Sequence, residues 1–245
     1  AGQELPELLE VFRENSFLGM PVVGDDGRLL GVLTRSAVEE AVREEETEVF
    51  LKVSGLRGEE ELRSMPLGLR SRRRLSWLSI NIVLNFIAAS VIAFNKDTLE
   101  QVIALAIFLP VISDMSGCSG NQAVGVSIRE LTLGLIRPTE FLRVFVKESS
   151  LGLVNGFVLG LLVAVAGALY GWMVGMEQNF VHFGFVVGAA LMLNTVVAVC
   201  IGGLVPLVLK SLRLDPALAS GPILTTVTDM CGFFFVLFLA AQILV

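Results

Sequence analysis

Five long apolar runs constrain this chain more than any other feature of its sequence. They cover about residues 75–94, 98–127, 148–174, 181–209 and 216–244. Each reaches the roughly 20 residues that an α-helix needs to cross the hydrocarbon core of a bilayer. Hydrophobic residues make up 54% of the sequence, which is more than soluble domains usually contain. We therefore predict a mainly α, polytopic membrane protein with five transmembrane helices.

The charged residues divide the chain into a soluble part and a membrane part. Residues 1–70 hold 15 acidic and 8 basic residues, whereas residues 71–245 hold 9 acidic and 10 basic ones. An acidic surface repels nucleic acid and attracts divalent cations, so we expect no nucleic-acid partner. The predicted domains are a small α/β motif at 1–46, a connecting helix with acidic and basic clusters at 47–73, and a five-span membrane domain at 74–245.

The α/β motif is predicted from its turn and its apolar spacing. Helical spacing runs from Leu5 to Asn15, and two short apolar strands flank the turn 24–27, GDDG. A second helix is predicted from Ser36, as its N-cap, to Glu46.

This order of helix, hairpin with PVV and LLGVLT, and helix resembles a CBS motif. The resemblance implies a pair of motifs that binds adenine nucleotides or gates an ion path. The companion motif is absent, lies upstream of the first residue or comes from another subunit. The family's nucleotide-binding Asp is replaced here by Ala37, so we expect no adenine nucleotide at this motif.

Basic residues predict the orientation of the chain in the membrane. Arg72, Arg73 and Arg74 precede the first run, and most other basic residues fall in loops on the same side. Cytoplasmic loops carry the excess of Lys and Arg. We therefore predict a multi-pass protein of the cell membrane with a cytoplasmic N-terminus and an outside C-terminus.

Acidic clusters follow the α/β motif. They are residues 44–46 with Glu48, and residues 59–61. One interpretation is a solvated helix face. The other is a regulatory site for divalent cations, since carboxylates suit Mg²⁺. The spacing leaves both interpretations open.

Two of the apolar runs carry polar faces that membrane helices rarely have. A carboxylate at membrane depth is costly and marks a candidate functional site. The candidate faces are Pro110, Ser113, Asp114, Gly117, Cys118 and Asn121 in the second run, and Gly221, Thr225, Thr228 and Asp229 in the fifth. Counted along each run, Asp229 lies about 21 Å from its inner end and Asp114 about 24 Å from its outer end. In the fourth run, Asn194 is predicted to form a hydrogen bond between helices.

The segments LPVISDMSGCSGNQA and LDPALASGPILTTVTDMCGFFF make the chain similar to the MgtE family of Mg²⁺ transporters and channels. The resemblance implies a homodimer in the bilayer, with one pore between spans 2 and 5 of both subunits. It also implies that Asp229 holds a hydrated Mg²⁺ and that Asp215 lies near the cytoplasmic mouth. Asp114 and Cys118 depart from the family pattern, where a small residue and an Asn are common.

The residues leave alternatives to a Mg²⁺ channel. A carrier exchanging Mg²⁺ for Na⁺ or H⁺ would use the same residues, with Asp114 as the coupling carboxylate. Two membrane aspartates also occur in intramembrane proteases, where a dyad shares one proton. A receptor with structurally paired aspartates is disfavoured, because no Lys or Arg lies at their depth. We expect a transporter of divalent cations rather than an enzyme.

Overall fold

The computed structural model describes residue 3 and residues 5–53, 65–176 and 179–245 of the chain. Most of the described residues are helical, as predicted. The glutamates predicted as a second acidic cluster at 59–61 lie outside the described residues.

The N-terminal motif has the predicted order of helix, hairpin and helix. Its elements are α1 (Leu5–Glu14), β1 (Gly19–Val23), β2 (Leu29–Thr34) and α2 (Arg35–Val53). The strands pair antiparallel, with Gly19 opposite Thr34. Gly27 closes the turn with a φ of 74°, a left-handed conformation that glycine adopts without steric cost.

The ends of α2 differ from the prediction. The hydroxyl of Thr34 accepts a hydrogen bond from the backbone N–H of Ala37 at 3.3 Å, so the cap is Thr34 and not Ser36. The helix also continues beyond Glu46 to Val53. Within the predicted connecting helix, residues 47–53 therefore belong to the end of α2, and residues 67–73 belong to the beginning of the next helix.

Six further helices follow among the residues that the structure describes. They are α3 (Leu67–Phe94), α4 (Lys96–Gln101), α5 (Leu105–Thr132), α6 (Phe141–Val174), α7 (Phe180–Ser211) and α8 (Pro216–Ile243). Among the described residues, α3, α6, α7 and α8 from Ser220 are long and apolar enough to cross a membrane. Helix α5 has 28 residues, about 42 Å, but it is more polar. The fifth span therefore stays a prediction.

The second apolar run is broken near its N-terminal end. It was predicted as one helix from residue 98, but α4 ends at Gln101 and α5 begins at Leu105. Val102 between them has a φ of −130° and a ψ of 67°, which are not helical values. Asp114 consequently lies only about 14 Å from the first residue of α5, rather than 24 Å from a helix end.

Helix α7 is the centre of the membrane part, packed against α5, α6 and α8. Glycines bring α6 and α7 together, because a Cβ on Gly160 would lie 2.7 Å from the carbonyl oxygen of Gly188. Small residues allow this approach in membranes, where packing replaces the hydrophobic effect as the main attraction between helices. Towards one end of the bundle, the rings of Phe108 and Phe183 pack edge to face with centroids 5.4 Å apart.

Candidate functional site

Asp229 is a half-buried carboxylate on α8, at its contact with α5. The hydroxyl of Ser113 on α5 donates a hydrogen bond to its Oδ1. Ser113 is buried, with 8% of its surface exposed. A hydrogen bond to a charged acceptor is stronger than one between neutral groups. The bond therefore fixes one carboxylate oxygen and leaves the second for another partner.

The threonines around Asp229 direct their protons into their own helix. The hydroxyls of Thr225, Thr226 and Thr228 donate to the carbonyl oxygens of Gly221, Pro222 and Thr225, at 3.0, 2.7 and 3.0 Å. Serine and threonine commonly satisfy their hydroxyls in this way inside helices. Thr225 is exposed, so it presents an oxygen that accepts hydrogen bonds rather than a proton that donates one.

An exposed polar stripe runs along α5. It consists of Pro110, Asp114, Cys118 and Asn121, all exposed in this single chain. Exposing an ionised carboxylate to hydrocarbon costs about 2.5–3.5 kcal/mol on insertion scales. The stripe must therefore face water or another protein. We call this stripe, taken together with the exposed Thr225 of α8, the open face.

The predicted candidate residues do not all lie on the open face. Thr228 is fully buried, and its carbonyl oxygen accepts a hydrogen bond from Asn194 of α7 at 3.0 Å. This confirms the bond between helices predicted for Asn194. Ser113 is also buried, whereas Gly117 and Gly221 are partly exposed.

Gly117 marks a close approach of α5 to α8. A Cβ at this position would lie 3.8 Å from the hydroxyl oxygen of Thr228. Three residues further along α5, a Cβ on Gly120 would lie 2.8 Å from a methyl group of Leu224. Gly120 therefore allows the close approach of α5 to α8, whereas a Cβ at position 117 would make only an ordinary van der Waals contact.

Asp215 caps the first turn of α8. Its Oδ1 accepts the backbone N–H of Ala217 at 2.9 Å, and its Oδ2 lies 2.7 Å from the ammonium of Lys52. The same ammonium lies 2.7 Å from Glu48. The hydrogen bonds to Asp215 and then to Glu48 raise the pKa of Lys52 above its ordinary 10.5. The helix that leaves the N-terminal motif is thus paired directly with the helix that carries Asp229.

A cleft of about 530 Å³ surrounds this ion pair. Its charged lining comes from α2 and from the junction of α7 and α8, and it consists of Glu45, Glu48, Lys52, Lys210, Arg213 and Asp215. The mixed charges distinguish it from the open face, which carries an acidic group without a basic one.

Across residues 5–53, 65–176 and 179–245, no three His, Cys, Asp or Glu side chains converge on one point. Mg²⁺ dehydrates reluctantly and is usually bound through one or two carboxylates and retained waters. The arrangement around Asp229 suits a dication that keeps its waters, and it does not resemble a closed cage of protein ligands.

Sequence reasoning missed the ion pair of Lys52. A lysine four residues after a glutamate predicts a bond along the helix, but it gives no sign of a partner on α8. Sequence reasoning also missed the hydrogen bond from the Ser113 hydroxyl to Asp229. Serines recur throughout the second run, so spacing alone did not single this one out.

The helical bundle and its polar site indicate a general class of membrane protein. Long apolar helices with a half-buried carboxylate and an exposed polar stripe are typical of membrane proteins in which such groups mark a functional site, often an ion or proton path.

Comparison with known proteins narrows this class. Residues 109–239 match the profile of the MgtE family, described as a divalent cation transporter, and residues 1–44 match the CBS domain. The chain belongs to the MgtE family.

Curated relatives agree with the family match. The magnesium transporter MgtE of Bacillus subtilis is 30% identical over 228 residues, covering 93% of this chain and 49% of that protein. That of Enterococcus faecalis is 31% identical over 229 residues, covering 94% and 49%. That of Thermus thermophilus is 31% identical over 240 residues, covering 97% and 51%. The chain thus spans about half the length of the curated relatives it matches.

Proposed function

We propose that this chain forms the membrane pathway of a Mg²⁺ transport protein. Two copies enclose one pore between their α5 and α8 helices, and Asp229 of each copy holds a hydrated Mg²⁺. The observation that carries the proposal is the open face, where the Asp114 carboxylate is exposed one residue after Ser113, which bonds to the half-buried Asp229. A second copy placed against this face removes both groups from lipid and gives them water.

The polar groups suit an ion that keeps its water. A hydrated dication presents water hydrogens to its surroundings, so its pathway needs acceptors more than donors. Thr225 offers an acceptor because its own proton is donated to Gly221, and the carboxylates of Asp114 and Asp229 add charge. One or two carboxylates with retained waters are the usual protein environment of Mg²⁺.

The proposed topology places the N-terminal motif in the cytoplasm and the C-terminus outside. Asp215 then lies near the cytoplasmic mouth, where Lys52 pairs with it at 2.7 Å. The contact links the CBS-type motif to α8, so a movement of α2 would reach the helix that carries Asp229. Divalent cations attracted to the acidic end of α2 would act on this link as regulatory ions.

An exchanger of Mg²⁺ for Na⁺ or H⁺ is the second candidate function. The exposure of Asp114 favours it, because a second carboxylate on the open face can carry a coupling ion or proton. The protease alternative has no such support, since the Asp229 carboxylate bonds to Ser113 and the relatives are named as transporters.

Ion flux into liposomes tests the proposed transport. The full-length protein is reconstituted, and uptake of Mg²⁺, Co²⁺, Mn²⁺ and Ca²⁺ is measured with and without a Na⁺ or proton gradient. We expect Mg²⁺ uptake without a gradient. Uptake only with a gradient would favour the exchanger, and no uptake of any dication would contradict both candidates.

The native cysteines test the dimer. Cys118 is exposed on the open face, whereas Cys200 is buried. In membranes, a variant that retains only Cys118 is expected to cross-link to a second copy, and a variant that retains only Cys200 is not. Cross-linking of neither variant, together with a monomeric mass in detergent, would contradict a pore between two copies.

A further inference from the structure

Asn194 is a buried amide where α7 meets α8, next to the candidate carboxylate. Its side chain is 0% exposed, and its Nδ2 donates to the carbonyl oxygen of Thr228 at 3.0 Å. Thr228 immediately precedes Asp229 in α8. Successive residues of an α-helix are turned by about 100°. On α8, the carbonyl of Thr228 is thus held by Asn194 of α7, while the carboxylate of the next residue, Asp229, is held by Ser113 of α5.

The contact around Asn194 is tight. A Cβ on Gly232, one turn after Thr228, would lie 2.7 Å from Nδ2 of Asn194 and 3.5 Å from a methyl group of Ile112. Contacts under about 3 Å force a neighbour to move, since protein interiors are close-packed. Helix α8 can therefore neither roll nor slide here without losing this contact.

Only the donor end of the Asn194 amide forms a hydrogen bond among the described residues. Within the part of the chain that the structure describes, Oδ1 of Asn194 has no hydrogen-bond partner. A buried acceptor left without a donor is destabilising, whereas an apolar residue of similar shape would carry no such penalty. Local features that oppose stability are expected where function requires a particular geometry. The feature of Asn194 that can serve function is its Nδ2 donor, which bonds to the carbonyl oxygen of Thr228.

We propose that Asn194 is a positioning residue for Asp229, an inference that rests on the proposed function. Asn194 from α7 and Ser113 from α5 bond to consecutive residues of α8. Together they set the rotation of α8 and hence the direction of the Asp229 carboxylate. A carboxylate held in one direction meets the ion and its waters at a constant distance. Loss of Asn194 lets α8 rotate, which weakens Mg²⁺ binding and its discrimination from larger dications.

The test is Asn194→Leu in the full-length protein, reconstituted in liposomes. We expect the apparent KM for Mg²⁺ uptake to rise about tenfold, as for the loss of one net hydrogen bond, and preference over Ca²⁺ to fall. The thermal unfolding temperature should be unchanged or higher, because the unpaired acceptor is removed. Thr195→Val is the matched control, since the Thr195 hydroxyl bonds within its own helix, to the carbonyl oxygen of Leu191. It should leave the KM and ion preference unchanged.

A double variant separates positioning from packing. Gly232→Ala alone should destabilise the protein, and adding Asn194→Ala should relieve the clash and restore stability. If Asn194 positions Asp229, the double variant keeps the raised KM although it is stable. A wild-type KM in the double variant, or in stable Asn194→Leu protein, would overturn the inference.

Uptake by Asp229→Asn, measured in parallel, separates a failure of the proposed function from a failure of the role proposed for Asn194. If it retains wild-type Mg²⁺ uptake, the proposed function itself is wrong. If it abolishes uptake while Asn194→Leu keeps the wild-type KM and ion preference, only the role of Asn194 is wrong.

Discussion

The hydroxyl of Ser113 donates a hydrogen bond to the carboxylate of Asp229 across the α5–α8 contact, between positions 116 residues apart in the chain. Ser113 is buried and Asp229 half-buried, so the bond lies at the inner edge of the open face. It connects the helix that carries the exposed polar stripe with the helix that carries the carboxylate. The two helices therefore act on the same ion in the proposed pore.

Ser113→Ala tests this connection. We expect the apparent KM for Mg²⁺ uptake to rise by about tenfold or more, because hydrogen bonds to charged groups contribute about 1.5–3 kcal/mol. The measurement is initial uptake into liposomes over a range of Mg²⁺ concentrations. Ser116→Ala is the control, since the Ser116 hydroxyl bonds to Ile112 of its own helix at 2.8 Å. Equal KM values for the two variants would contradict a specific role for Ser113.

Asp114→Asn removes the exposed carboxylate of α5 with little change of shape. We expect uptake of dications relative to monovalent ions to fall several-fold, because one negative charge of the pore is lost. In an exchanger, the dependence on a Na⁺ or proton gradient should also disappear. Flux with and without each gradient measures both effects. An ion profile and gradient response equal to those of wild type would make Asp114 a structural residue.

Lys52→Gln removes the cation that joins α2 to Asp215. Exposed ion pairs contribute about 0–1 kcal/mol, and Lys52 is about one third exposed at 32%. We therefore expect hydrogen exchange in α2 to accelerate by no more than about fivefold. High salt should produce a similar acceleration in wild type and little further change in the variant. Lys96→Gln is the control, because Lys96 pairs with Glu100 within its own helix α4.

The pH dependence of this contact follows from the raised pKa of Lys52. A cation whose pKa is higher in the folded state stabilises the contact fully below its unfolded pKa and loses that effect as pH rises through the folded value. The ordinary value is 10.5 and the folded value is higher. The contribution of Lys52 to the protection of α2 should therefore stay constant across neutral pH and decline only as the pH rises through its raised pKa. A midpoint near neutrality that disappears in Lys52→Gln would contradict the assignment of the ion pair.

The helices of the bundle could be predicted because long apolar runs have few alternatives in a membrane. Asp229 could be singled out because a carboxylate in such a run is costly. The CBS-type motif followed from its turn residues. These features are local in the sequence, and the physical reason for each lies within one segment.

The break between α4 and α5 had no such local signal. Residues 101–104 contain neither Gly nor Pro, so the non-helical backbone at Val102 results from tertiary packing. Val102 is buried at 2% exposure in the main core. A continuous helix would compete with the burial of Val102 and Leu105 in the core. The structure shows that burial prevails at this point, because the helix is interrupted at Val102.

The split between Thr225 and Thr228 also depended on packing. Residues three apart in a helix differ by about 60° in direction, so both fall on one broad face in the sequence. The neighbouring helices bury Thr228 near Gly117 of α5 and Asn194 of α7, and leave Thr225 exposed. The width of a polar face cannot be read from spacing when the position of the neighbouring helix is unknown.

The central claim is that Asp229 holds the transported ion, and one substitution tests it most directly. Asp229→Asn preserves the shape of the side chain and its ability to accept a hydrogen bond from Ser113, but removes the charge. In full-length protein in liposomes, we predict that this variant loses Mg²⁺ uptake to the level of empty vesicles, while Asp97→Asn in α4 transports like wild type. Wild-type Mg²⁺ uptake by correctly assembled Asp229→Asn protein would contradict the account.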